Sequence, residues 1–183
     1  MNLSMKSRSS FPAIRKSLIR AALFRLFACA LFSAGCAQVQ ETEPLPADHR
    51  FPLTLGEQSI HVELAVTQEE SARGLMFRDE LDENHGMLFV FRFPRQARFH
   101  MTNTSIPLDI GFFAPNGILR EIYPLYPHDE STISSQSSQI QFALEMNQGW
   151  FSSNQVRRGA ELDLEEIASA LEQRGFSPSD FGL

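Results

Sequence analysis

GMLFVFRF, residues Gly86–Phe93, is apolar almost throughout and stops at Pro94. A strand with one wet face alternates polar and apolar residues, and this run does not, so it predicts a strand buried on both faces. Upstream, FPLTLGEQSIHVELAV (Phe51–Val66) holds two alternating runs separated by Gly56-Glu57-Gln58, the pattern of a hairpin with a Gly-containing loop. Ile60, Val62, Leu64 and Val66 share one face of its second arm, which leaves His61 and Glu63 on the other. Thr67-Gln68-Glu69-Glu70 reads as a capping box opening a short helix to about Met76. Gly74 in its last turn ends the helix or lets another backbone approach.

Downstream, RFHMTNTSIPLDIGFF (Arg98–Phe113) predicts strands at about Arg98–Asn103 and Pro107–Phe113, joined by a polar corner at Asn103 and Thr104. Pro115-Asn116-Gly117 forms a tight turn before a returning strand, Ile118–Tyr123. The Pro- and Ser-rich stretch from Pro124 to Gln139 is long enough to suggest a lid or binding loop. Ile140–Met146 is a further strand and Gly149–Val156 a short helix. Asp163-Leu164-Glu165-Glu166 reads as a second capping box, opening a helix that runs to Arg174 and stops at Gly175. This order predicts a single small α+β domain with a curved, mainly antiparallel sheet or partial barrel and two to three short helices. Its bounds are 51–162, with a C-terminal helical extension at 163–183.

The N-terminus has a different character. Residues 1–36 contain six bases and no acid, so the remainder of the 183-residue chain carries ten bases against 22 acids. A body that acidic repels phosphate backbones, and nucleic acid is excluded as a main partner. The basic stretch leads into the apolar Leu26–Gly35, whose ten residues would cover about 15 Å of a hydrocarbon core of about 30 Å. Residues 1–36 therefore read as a secretory signal and not as a membrane span. Ser33-Ala34-Gly35-Cys36 resembles the lipobox of bacterial lipoproteins, with Ser33 where Leu is usual. Cys36 would be the only Cys of the mature chain, which leaves no internal disulfide and makes it the candidate lipidation site. Ala37 follows it in place of Asp, and the same resemblance then implies a periplasmic protein anchored at the outer membrane. Residues 37–50, rich in Pro and acids, read as a flexible linker.

Arg73, Arg78, Asn103, Thr104, Asp109 and Glu145 form the most suggestive polar set. Asp109 and Glu145 interrupt apolar strands, where a carboxylate must be paired or protonated, and Arg73 and Arg78 are natural bidentate partners. Three readings fit: pinning of strands to a helix, a binding site for a small polar or anionic molecule, or acid/base hydrolysis by an Asp109/Glu145 pair. There is no Gly-x-Ser-x-Gly element and no Gly-rich phosphate loop, and the five His are scattered, so neither metal nor cofactor is expected. Sixteen Phe against two Tyr and one Trp point to a ring-filled core, or to a greasy groove under the Ser131–Gln139 loop.

Five blocks in order, ARGLMFRDEL (Ala72–Leu81), GMLFVF (Gly86–Phe91), FHMTNTSIPLDIGFF (Phe99–Phe113), GILREI (Gly117–Ile122) and FALEMNQGW (Phe142–Trp150), resemble the DUF192 family, also called UPF0127. His100 stands where that family usually has Trp, and Gly159-Ala160 where it has Gly-Asp. The resemblance implies a small, often exported domain with no established biochemical activity. The expectation is an exported, lipid-anchored envelope protein that acts as a binding or accessory module for a small polar ligand or an envelope partner. Alternatives are an envelope hydrolase and a purely structural docking domain.

Overall fold

The computed structural model describes residues 43–183. The expected signal segment 1–36, its Cys36 and the first part of the linker lie outside the described residues. The elements are β1 (Phe51–Leu55), β2 (Gln58–Ala65), α1 (Gln68–Arg73), β3 (His85–Arg95), β4 (Arg98–Phe99), β5 (Leu108–Phe113), β6 (Leu119–Leu125), β7 (Ile133–Ser134), β8 (Ile140–Asn147), α2 (Trp150–Ser153) and α3 (Leu164–Gln173), with a 3-10 turn at Pro178–Phe181.

The two-faced strand decides the architecture. β3 lies inside a six-stranded sheet of order β1-β2-β3-β8-β5-β6, paired parallel with β2 and antiparallel with β8. Its Leu88 and Val90 enter one apolar cluster and its Met87 and Phe89 another, so each face carries its own core. α3, Trp150, Phe151 and Phe181 cover the first face. Leu75, Ala97, Met101 and Ile106 cover the second. The β2–β3 pair is parallel because the chain crosses between them through α1, which a hairpin could not do. The sheet is mixed and not closed into a barrel, although the segment after α2 bridges its edge strands through Leu55–Leu162 and Ile118–Glu161 pairs.

Several expectations change in detail. β3 does not stop at Pro94 but runs to Arg95, and its register against β8 jumps between Val90 and Arg95, so Phe91–Pro94 bulge out opposite Gln141. Proline is tolerated there because the ladder is already interrupted. The expected strand 98–103 shrinks to β4, which leaves the main sheet and pairs with β7. The long loop that holds β7 is pinned and is not a free lid. The buried Glu121 carboxylate accepts the Gln136 and Ser137 N–H groups at 2.8 and 2.9 Å and the Tyr123 hydroxyl at 2.8 Å. Burial acts to raise the Glu121 carboxyl, but these donors outweigh it and hold it below its ordinary range.

The first capping box forms as read, with Thr67 and Glu70 bonded reciprocally. The second forms only in part. Asp163 caps the Glu165 and Glu166 N–H groups, but the Glu166 carboxylate reaches across to the Thr54 N–H at 2.5 Å and fastens α3 to β1. Residues 43–50 are docked and not a loose tether, since the Leu45 N–H donates to the Gln173 carbonyl at 2.7 Å. The C-terminal helix is likewise built into the domain: Ile167, Ala170 and Leu171 are buried in the first core. Arg174, 8% exposed, donates to the Leu64 carbonyl at 2.9 Å and to the Glu70 carboxylate, tying α3 to β2 and to the cap of α1. Arg174→Ala is expected to cost about 2–4 kcal/mol, because it removes the guanidinium between two partly buried acceptors. Urea unfolding of the purified protein checks this, as a lower midpoint at unchanged slope.

Candidate functional site

Three glutamates stand buried on the second face of the sheet: Glu63 of β2, Glu145 of β8 and Glu121 of β6, at 5, 5 and 9% exposure. Only Glu145 interrupts an apolar run, but each of the three is buried, and a buried carboxylate needs a partner or a proton. Glu121 has the loop N–H groups. Glu63 receives both terminal nitrogens of Arg78, at 2.7 and 2.5 Å, and this bidentate bond raises the Arg78 guanidinium above its ordinary value. Glu145 has neither arrangement. Its cross-strand neighbours are Met87 and Ile110, and among the described residues its carboxyl makes no hydrogen bond. Burial pushes it up to about 8.

Glu145 opens on a cleft of about 770 Å³. One wall comes from Thr67 to Met76, the α1 segment and the turn after it. The other comes from the end of β3, its bulge, and β4 through His100. The local causes are visible in the chain. Gly74 caps α1 at φ 48°, a left-handed conformation that favours glycine, and its missing side chain leaves the wall open above the Phe89 ring. The β3 bulge turns Phe93 outward, to 72% exposure, while Phe91 stays half-buried against the second core. Phe89 and Phe99 meet edge to face at 4.8 Å across the floor. Arg73, Arg92, Arg95, Arg98 and His100 line the same cleft.

Of the six residues expected to form a site, the structure gathers three. Arg73, Thr104 and Glu145 line this cleft. Arg78 is committed to Glu63, so neither Arg78 nor Arg73 meets Asp109. Asn103 is exposed and adopts φ 55°, and its carbonyl accepts the Phe77 N–H at 2.8 Å; its part is the left-handed corner, which Asn tolerates. Asp109 pairs in register with Met146 and shares its face, while Glu145 faces the other way with Ile110. The Asp109/Glu145 pair therefore lies on opposite sides of the sheet and cannot flank one bond, which removes the geometric basis of the expected two-carboxylate hydrolase. Asp109 accepts the Gly149 N–H at 2.8 Å at the start of α2; burial raises its carboxyl and that bond opposes the rise. The Arg92–Arg98 cluster and the buried Glu63 and Glu121 escaped sequence reading. Arg92, Arg95 and Arg98, three arginines within seven residues, were the available signal.

The fold defines a small single-domain α+β protein with an open mixed sheet and a cleft over one face. The chain belongs to the DUF192 family ("Uncharacterized ACR"), whose model matches residues 52–164. It is similar to a Novosphingobium aromaticivorans protein of unknown function, with 33% identity and TM-score 0.60, over 62% of this chain and 84% of that one. It is also similar to a proposed transcription regulator of Sinorhizobium meliloti, with 35% identity and TM-score 0.58, over 62% of this chain and 91% of that one. No curated protein matches.

The state of Glu145 has a signed consequence for stability. Its folded value, about 8, lies above the ordinary carboxyl value of 4.5, so the folded state holds the proton more tightly. Stability contributed by this group is full below the ordinary value and is lost as pH rises through the folded one. Glu145→Gln keeps the shape and removes the ionisation, and is expected to raise stability at pH 8 by roughly 2–4 kcal/mol while changing it little at pH 4. Urea titrations of both proteins across that range check the sign.

Proposed function

We propose that the domain is a binding module for a small molecule held in the Glu145 cleft. The observation that carries this reading is the contrast among the three buried glutamates: two are satisfied within the protein, and the third lacks a partner where a cleft of ligand size opens. A protonated carboxyl can donate one hydrogen bond and accept others, and rings beside it supply apolar contact. Native mass spectrometry of the protein purified from its own cell envelope tests this. A small molecule released on denaturation is the expected result. A bare chain bound to a stoichiometric protein partner would replace the reading with a docking function.

The same reading includes export and anchoring. The basic n-region, the apolar Leu26–Gly35 and the single mature Cys36 support a lipoprotein of the periplasmic face of the outer membrane. Metabolic labelling with a tagged fatty acid is expected to mark the wild-type chain and not Cys36→Ala. Equal labelling of both would place the modification elsewhere, and no labelling of either would leave plain secretion.

A further inference from the structure

We infer that the ligand of this cleft is a small organic anion with an apolar, ring-sized body, recognised through its negative group by Arg73 and Arg98. This rests on the reading of the cleft as a small-molecule site and adds the chemical class.

The distribution of charge motivates it. From residue 43 onward every base is an arginine, ten in all, within a domain whose acids outnumber them about two to one. Four of the ten, Arg73, Arg92, Arg95 and Arg98, line one cleft, and among the described residues Glu145 is the only acid that lines it. Two of the four are engaged by the protein: Arg92 pairs with Asp180 at 3.2 Å, and Arg95 lies over the Phe91 ring at 5.2 Å. Arg73 and Arg98 are exposed and make no ion pair among the described residues. Elsewhere the protein uses this side chain differently, closing Arg78 on Glu63 and Arg174 on Glu70. A guanidinium left open beside a concave site matches a carboxylate, sulfonate or phosphate through two parallel hydrogen bonds.

The rest of the cleft limits the ligand's body. Phe89, Phe91 and Phe99 give it apolar walls, and its volume of about 770 Å³ suits one small molecule. Glu145, uncharged below about 8, does not repel an anion at neutral pH. A nucleic-acid strand or an anionic membrane is a poorer fit, because both need a basic outer face and the body of this chain is acidic.

Isothermal titration of the full chain with naphthalene-2-carboxylate and with its neutral amide separates the possibilities. The carboxylate is expected to bind one to one and about tenfold or more tighter than the amide. The double variant Arg73→Gln/Arg98→Gln should bring the two to parity by weakening the carboxylate alone, with an unchanged circular dichroism spectrum. Ala72→Trp, which fills the cleft from its exposed wall, should abolish both. Equal affinity for both probes in the wild-type chain overturns the anion inference and leaves the small-molecule reading standing. Binding of neither probe overturns both readings. Carboxylate selectivity that survives the double variant, or binding that survives Ala72→Trp, puts the anion site elsewhere and overturns the inference.

Discussion

β3 and β8 pair antiparallel in the middle of the sheet, and neither keeps a face for water. Gly86 to Val90 and Phe142 to Met146 are buried without a break. Gly86 shows how close this pairing is: a side chain there would collide with the Glu145 backbone carbonyl and the Met146 sulfur. Burial on both sides requires two covering layers, so the chain must supply helices to one face and the α1 turn, β4 and β7 to the other. It also sets the dielectric surroundings of any polar group these strands carry. Glu145 sits in β8 for that reason at a point largely withdrawn from water, which disfavours its charged form.

The second face then becomes a comparison within one protein. Three carboxylates are buried, and two are stabilised by different means, a guanidinium for Glu63 and backbone N–H groups for Glu121. Each of those solutions also performs a structural task. Arg78 on Glu63 holds the turn after α1 against β2, and Glu121 fixes the loop that carries β7. With the turn and loop held, the cleft between α1 and the β3 bulge has fixed walls. Glu145, the residue between them in the sheet, performs no such task. A buried group without an internal partner is costly, and this is the observation on which the proposed binding role of the cleft rests.

The family match ends at residue 164, but the folded unit does not. α3 contributes Ile167, Ala170 and Leu171 to the first core, and Arg174 and Glu166 tie it to three earlier elements. Residues 43–50 meet this same helix through Leu45 and Gln173. The two ends of the domain therefore stabilise each other at the edge of the sheet. Residues 43–50 therefore belong to the folded unit and not to the flexible linker expected from composition.

Much of this was legible in local pattern. The β1–β2 hairpin, the Thr67 cap, the two-faced β3, the β5–β6 hairpin and the amphipathic α3 each follow from period, cap or turn residues within a few positions. Burial of Glu145 was legible too, because it stands inside an apolar strand. What local pattern cannot carry is partnership. Alternation places Glu63 opposite the apolar face of β2 but does not name Arg78 as its partner, and Asp109 and Glu145 read as a pair although register puts them on opposite faces. Sequence alone determined the α+β class, most of the element order and the burial of Glu145, since these depend on neighbours in the chain. Only the tertiary structure decided which acid has a counter-charge, which loop is pinned and which arginines meet around one cleft, because each of those depends on groups brought together from distant parts of the chain.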